Sequence, residues 1–556
     1  MEIQTTRYEA QAILFSAKIP RLALLNLSIG KCHDRLPTVN VWRNHGIESL
    51  IPLTTPFFDY QDWKVDFRLG GYDDTLMFGT WQAADAEILW LDSVRFLVNM
   101  SFGEWLAWLA QRLAALRAVS RAPIILATWS NEPRGTERLQ AVADGLPAVY
   151  FADLQAACGE FNVPLLDSRS AALAGTPLSS FAQLVLARAL ACHWLPAALS
   201  PPIKAVALDL DNTLHEGVLG EDGVHGVRLT PGHAALQSFV KSLRARGIFL
   251  ALVSRNELSD VEALFAARRD YPLCLADFSA VEVTWGDKAA ALSRIASALR
   301  IAPDALVFVD DNPGELASVA MQLPQVHTVY AHPDADLTRR VLGFYPGLWR
   351  WRVESEDTKR VQDLHANTER EALAAEVADP ADYFRGLQVK LTFRSDPTEQ
   401  LARLADLCNK TNQFNLALRR FNLAEVAACV ERSDARVTSV QLTDRLSDSG
   451  VIAVIVAMSQ GEQLVVDELC ISCRAMGRQL EDTMILTALQ ESAAFFGHTQ
   501  VAFRVRIGPR NQPALAWLAR LIGQSDTPAA GLHVLPVDKL LEFPPAEGVV
   551  IAWNDQ

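Results

Sequence analysis

The sequence predicts a multidomain α/β protein, and three observations carry that expectation. Two successive regions alternate short apolar strand-like runs with Ala/Leu-rich helical stretches, the pattern of parallel sheets covered by helices. A third region holds long strands separated by a short turn and followed by a helix, which suggests α+β. At 556 residues, the chain is long enough for three or four such units.

The first region, residues 1–200, has strand candidates in Leu22–Gly30, Ile88–Asp92, Ile124–Trp129 and Val163–Asp167. Helical stretches such as Phe102–Val119 lie between them. Trp194–Lys204, with Pro201 and Pro202, looks like a linker. The second region, 201–350, opens on the strand Lys204–Asp211 and continues with strands at Ile248–Ser254 and Ala305–Asp311. A charged helical connector fills 351–378, and the third region covers 379–556. There the strands Val437–Asp444, Gly450–Gln460 and Leu464–Ser472 precede a loop and helix.

Half of the residues are hydrophobic, 21% are charged, and the net charge is −14 from 51 basic and 65 acidic side chains. An acidic chain argues against nucleic acid as a partner. No run of about 18 apolar residues and no secretory leader is evident, so neither a membrane span nor export is expected. The cysteines, Cys32, Cys158, Cys192, Cys274, Cys408, Cys429, Cys470 and Cys473, are scattered and do not read as a disulfide framework. The expectation is a soluble cytoplasmic protein. Cys470 and Cys473 form one C-x-x-C with no second pair, which argues against zinc there.

The sharpest motif is Asp209-Leu-Asp211-Asn212-Thr213 at the end of an apolar strand. Two carboxylates at i and i+2 in a buried strand end repel each other unless a cation joins them. At the C-terminal end of a parallel strand they point into the ligand crevice. Ser254 closes the next strand, Lys288 opens a helix, and Asp310 and Asp311 end a third strand. In order and position this set resembles the haloacid-dehalogenase (HAD) superfamily. The resemblance implies a HAD-like Rossmannoid core and Mg²⁺-dependent phosphoryl transfer. Asp209 is then the nucleophile and Asp211 the general acid/base. Thr213, Asn212, Ser254 and Lys288 would bind the phosphoryl group. Asp209, Asp211, Asp310 and Asp311 would hold Mg²⁺, Asp211 through its backbone carbonyl. Only 40 residues separate Thr213 from Ser254, and 33 separate Ser254 from Lys288, so no large cap fits in either interval. The expected site is open and suits a bulky or protein-tethered substrate, unless another domain serves as its lid.

Further motifs narrow the resemblance. Gly220-Glu-Asp-Gly223, Val253-Ser-Arg-Asn-Glu257, Phe308–Pro313, Lys410–Phe421 and Cys470–Arg478 together look like the FkbH-like family. That resemblance covers residues 200–556 and extends more loosely over the N-terminal region. It implies a glyceryl transferase/phosphatase that takes the glyceryl unit of 1,3-bisphosphoglycerate and removes its phosphate. The unit is then loaded as a thioester on the phosphopantetheine of an acyl carrier protein, for polyketide biosynthesis. The family usually shows Trp-Gly-Gly where this chain has His215-Glu216-Gly217, which bears on the choice of donor.

The third region resembles a GNAT acyltransferase fold, with Arg474, Gly477 and Arg478 in a loop expected to open a helix and receive the phosphopantetheine arm. Cys473 is the candidate acyl-accepting thiol, against a packed core cysteine; Cys470 reads as core. Asn412, Gln413 and Asn415 either line an acyl pocket or form a turn rich in side-chain hydrogen bonds. Asp467 and Glu468 are candidate bases, and Asn511 occupies a polar position before the last helix. The first region distantly resembles SGNH hydrolases, with Ser28 at the nucleophile position. The Gly-Asp-Ser context and the Asp-x-x-His pair are missing, so a degenerate structural or docking domain is expected. Two other functions remain open: a HAD phosphatase fused to a CoA-dependent N-acetyltransferase, and a non-catalytic scaffold of a biosynthetic complex.

Overall fold

A computed structural model describes residues 2–29, 35–73, 75–169, 175–352, 355–377 and 379–554. Cys32 and the end of the Leu22–Gly30 run lie outside them. The chain divides into two compact units, Met1–Val353 and Glu354–Gln556.

The first unit holds two parallel five-stranded sheets. One contains β1 (Thr38–Arg43), β2 (Asp66–Tyr72), β3 (Ala86–Trp90), β4 (Ile124–Thr128) and β5 (Val149–Asp153), in the order β2-β1-β3-β4-β5. The other contains β6 (Ala205–Leu208), β7 (Phe249–Ser254), β8 (Ala280–Val283), β9 (Leu306–Asp310) and β10 (His327–Tyr330), ordered β10-β9-β6-β7-β8. Runs such as Ile124–Thr128 and Phe249–Ser254 are buried at every position, as strands covered on both faces must be. A single apolar cluster takes in residues from both sheets, including Trp90, Ile203, Val206 and Leu208.

Three local expectations fail for identifiable reasons. Leu22–Leu25 lies in the helix Arg21–Leu25, not a strand. Leu22 and Leu25 face solvent and only Leu24 is buried, so the run lacks the two-sided burial of a central strand. The first strand is instead Thr38–Arg43, and Ser28 precedes it in a loop. Val163–Asp167 forms one bridge, Leu166 to Leu178, because Pro164 interrupts it. Trp194–Leu199 is no linker: it completes a continuous helix, Ser180–Leu199. Trp194 and Leu195 are buried there, and Pro196 sits just past the π-helical turn Leu190–Trp194 within that helix. That helix has membrane-span length, and an 18-residue window within it has a mean hydropathy of 1.3, but 78% of that window is buried.

In the second sheet β6 is central, with β7 on one side and β9 on the other. The chain order reverses between β6 and β9, and ligands of open α/β sheets bind at the C-terminal ends of strands at such a switch point. Asp209 follows β6, and Asp310 ends β9. The interval after Thr213 holds only the short helix Leu219–Gly226, the helix Pro231–Ala245 and β7. The interval after Ser254 holds the helix Leu258–Ala267, one 3₁₀ turn and β8. No domain is inserted in either.

The second unit begins with the helix Ser355–Glu376. It is built on a seven-stranded mixed sheet of β11 (Lys390–Ser395), β12 (Ala435–Thr443), β13 (Asp448–Gln460), β14 (Gln463–Ile471), β15 (Gln500–Val505), β16 (Gly531–Pro536) and β17 (Val550–Trp553). The order is β16-β15-β14-β13-β12-β11-β17, antiparallel apart from the β14–β15 and β11–β17 pairs. The parallel pairing of β14 with β15 covers only Leu464–Val466 against Val501–Phe503. Beyond it, the segment Phe414–Leu416 bonds to the free edge of β14: Ile471 N donates to Phe414 O (3.0 Å) and Leu416 N to Leu469 O (3.4 Å).

Candidate phosphoryl-transfer site

Asp209 lies just past β6, its main-chain N–H donating to Val309 O at 2.9 Å, which keeps it in register with β9. Lys288 is the first residue of the helix Lys288–Ala298, whose start is capped by Asp287. Its ammonium donates to Asp209 Oδ1 (2.8 Å) and to Asp310 Oδ2 (2.6 Å). All three side chains are buried. Burial pushes the Asp209 carboxyl above the usual carboxylate range, against the pull of Lys288. Burial also works against the Lys288 ammonium, but Asp209 and Asp310 outweigh it and hold its pKa above the ordinary value. The half-buried Asp311 carboxyl is pushed up to about 6, by burial and then by Asp310.

Carboxylate oxygens of Asp209, Asp310 and Asp311 lie within 4.8 Å of one another. Three acids against one ammonium leave excess negative charge, and the donor set is all oxygen. Both features fit a hard divalent cation such as Mg²⁺.

The Asp211 side chain stands outside that cluster. Its Oδ1 accepts from His215 Nε2 (3.2 Å) and the Leu219 N–H (2.9 Å), and its Oδ2 accepts from Asn256 Nδ2 (2.8 Å). Burial disfavours its charge, but these three bonds prevail and hold the carboxyl below its usual range. Asn256 also donates to Ser254 Oγ at 2.9 Å, leaving the Ser254 hydroxyl hydrogen available to a ligand oxygen. Thr213 Oγ1 is buried with no partner among the described residues, as a hydroxyl awaiting a ligand oxygen would be. Asn212 adopts φ +52 and accepts the Gly217 N–H at 3.0 Å, closing the loop around Asp211. Gly217 has φ +106, and a Cβ there would meet Asp222 Oδ2 at 2.7 Å, so glycine is required.

Sequence reasoning missed two residues. Asn256 was visible in Val-Ser-Arg-Asn-Glu, but nothing in the sequence said it would reach both Ser254 and Asp211. His215 stood out as a departure from the family pattern; the fold buries it completely against Asp211. Glu216, its neighbour, turns outward to pair with Arg228. The two residues of the departure therefore part, one into the site and one onto the surface.

In the second unit, β14 ends at Ile471, turns span Cys473–Gln479, and the helix starts at Glu481. The loop does not open the helix directly, because Gly477 (φ +75) and Gln479 (φ +59) take left-handed conformations. Gly477 N donates to Glu481 Oε1 at 2.8 Å. Cys473 is half-buried and Arg474 is buried. Arg478 turns inward, donating to Asp363 Oδ2 (3.3 Å) and Asn367 Oδ1 (3.1 Å) of the helix Ser355–Glu376. Asp363 also accepts from Arg370 (3.0 Å), Ser447 (2.7 Å) and Ser449 (2.8 Å). Asp467 accepts from Arg504 at 2.6 Å. Asn412 Oδ1 accepts from Arg420 (2.6 Å) and Asn415 Oδ1 from Leu418 N (2.7 Å), as in a turn rich in side-chain bonds. Asn511 braces that turn, donating to Asn415 O (3.0 Å) and Arg506 O (2.8 Å).

A scan against protein-family models found no match, and neither did a search of curated proteins. Solved structures similar to this chain include the N-terminal part of BF1531 from Bacteroides fragilis, which contains a phosphatase domain complexed with Mg. It is 19% identical, with a TM-score of 0.46, and the match covers 61% of this chain and 99% of that one. A putative HAD family hydrolase from Streptomyces avermitilis is 19% identical with a TM-score of 0.20, covering 26% of this chain and 92% of its own. A mutant of the spermidine N-acetyltransferase SpeG from Vibrio cholerae is 15% identical with a TM-score of 0.21, covering 27% and 96%.

Proposed function

We propose that this chain is a Mg²⁺-dependent phosphatase of the HAD type joined to an acyl-transfer unit. In this reading it takes the glyceryl group of 1,3-bisphosphoglycerate, removes phosphate and delivers the acyl group to the phosphopantetheine thiol of an acyl carrier protein. The observation that carries the phosphoryl-transfer half is the buried Lys288 bridge between Asp209 and Asp310, with Asp211 aimed by Asn256 and His215 beside it.

Asp209 supplies the attacking carboxylate oxygen, forming an acyl phosphate as the P–O bond to the leaving group breaks. Asp211 delivers a proton to the departing oxygen, then removes one from the water that cleaves the aspartyl-phosphate. Lys288 steadies the negative charge on the nucleophile, and the Ser254 and Thr213 hydroxyls donate to phosphoryl oxygens. Mg²⁺ bound at Asp209, Asp310 and Asp311 would shield the phosphoryl charge from the incoming carboxylate.

The glyceryl and carrier-protein assignment rests on motif resemblance. The absence of an inserted cap supports a tethered substrate. Cys473, half-buried at the end of β14, is the proposed acyl relay. The test is to mix the full chain with Mg²⁺, 1,3-bisphosphoglycerate and phosphopantetheinylated carrier protein and weigh the carrier. A glyceryl mass gain that needs Asp209 is the expected result. Phosphate release without mass gain, together with acetyl transfer from CoA, would establish the phosphatase–acetyltransferase alternative instead.

A further inference from the structure

Away from the phosphoryl-transfer site, the second unit contains a cluster that the proposed chemistry does not use. Glu468 and Cys470 are two residues apart on β14 and therefore share a face of the strand. The helix Leu401–Lys410 carries Cys408 over that face. The two thiol sulfurs and a Glu468 carboxylate oxygen lie within 4.8 Å of one another, and all three residues are fully buried.

Their environment is unusual for a carboxylate. Glu468 accepts the main-chain N–H groups of Arg420 (2.8 Å) and Leu469 (3.2 Å), and the Asn415 side chain also favours its charge. No basic side chain forms an ion pair with it among the described residues. The Arg420 guanidinium is turned to Asn409 O and Asn412. Burial pushes the Glu468 carboxyl up to about 7 and the Cys470 thiol well above its ordinary range. Arg420 favours its charge only through space, without an ion pair, and a buried acid so lightly compensated is costly to keep. Two thiols beside it supply what a soft or borderline cation requires.

We propose that Cys408, Glu468 and Cys470 form a site for a thiophilic divalent cation, with Zn²⁺ the best match. Hard ions such as Mg²⁺ or Ca²⁺ are poor matches to two sulfurs. In a tetrahedral Zn²⁺ site with Zn–S near 2.3 Å, neighbouring sulfurs sit about 3.8 Å apart. The 4.8 Å within which the three ligand atoms lie exceeds that spacing by about 1 Å. Binding forms two Zn–S bonds and one Zn–O bond. The two thiol protons leave to solvent, with that of Glu468 where it is protonated. Three protein ligands leave the fourth position to water or another small ligand. The ion would pin the helix Leu401–Lys410 to β14 immediately before the Cys473 loop. The C-x-x-C pair of Cys470 and Cys473 is thus split: Cys470 serves the ion and Cys473 does not.

The test uses the reduced full-length protein, loaded with Zn²⁺ or Co²⁺ and desalted in excess Mg²⁺, which competes at the three-carboxylate cluster. One tightly held equivalent is expected, with sulfur-to-cobalt charge-transfer absorption in the Co²⁺ form. Cys408→Ala and Cys470→Ala should each lose the ion and the absorption, while Cys473→Ala keeps both. Glu468→Gln, which preserves volume, should weaken binding at least tenfold. The proposal is overturned if the folded wild-type protein retains less than a tenth of an equivalent. It is equally overturned if Cys470→Ala binds as wild type, or if thiol counting in denaturant shows Cys408 and Cys470 joined as a disulfide.

Discussion

Replacing Asn256 by alanine tests the geometry of the proposed phosphoryl-transfer site most directly. Asn256 is 4% exposed and places one amide nitrogen between Asp211 Oδ2 and Ser254 Oγ, at 2.8 and 2.9 Å. A buried hydrogen bond to a charged group contributes about 1.5–3 kcal/mol. At 1.36 kcal/mol per tenfold, its loss from the transition state corresponds to roughly 10- to 150-fold in kcat/KM. The pH profile gives a second reading. Asp211 is held below its usual range partly by Asn256, so removing that donor raises its pKa. The limb of the profile that reports Asp211 as a base then shifts to higher pH. Asn256→Asp should act more strongly in the same direction, because it sets a like charge against Asp211. The assay is phosphate release at saturating Mg²⁺ across pH, with folding checked by circular dichroism. A loss below threefold in both variants with an unmoved acid limb would refute the role assigned to Asn256.

Removing Lys288 as Lys288→Met leaves Asp209 and Asp310 buried side by side. The variant should lose about 3–5 kcal/mol in EDTA and recover part of that loss with Mg²⁺, measured by urea unfolding. His215→Ala should reduce kcat more than KM and raise the Asp211 limb, since it removes one of three donors to that carboxylate; a pure KM effect would contradict this. In the second unit, Asp363→Ala removes one of the two carboxylates that face Arg370 and Arg478, leaving Asp444, and should destabilise that unit by about 1–3 kcal/mol. Arg478, Ser447 and Ser449 hold the Asp363 carboxyl below its usual range despite burial, so its stabilisation is full above the ordinary aspartate pKa. That contribution is lost as pH falls through the lowered value, and Asp363→Asn should flatten the acid side of the stability–pH curve. Finally, Cys473→Ala should abolish carrier loading while leaving phosphate release from Asp209 intact; unchanged loading would mean direct transfer.

Local pattern sufficed to place the aspartates, because a run buried on both faces and ending in acids reads as a strand that presents them at its C-terminal end. The order of Asp209, Ser254, Lys288 and the Asp310–Asp311 pair along the chain was legible for the same reason. So was the lack of a cap, which is a matter of interval length. The N-terminal strands were less legible, since a four- to nine-residue apolar run reads alike as strand or buried helix. Leu22–Leu25, read as strand and found in a helix with only Leu24 buried, shows that tertiary burial decides such cases.

What the sequence determined by itself was which residues are candidates for the chemistry and where on its element each sits, since residue type and position on an element are local properties. What only the tertiary structure decided was how they are held. Asn256 reaches Asp211 across 45 residues and Lys288 reaches Asp209 across 79, distances along the chain that periodicity cannot span. The switch point between β6 and β9 brings these residues together. The same holds in the second unit, where Arg478 meets Asp363 and Cys408 meets Cys470 only because a helix folds back over a sheet.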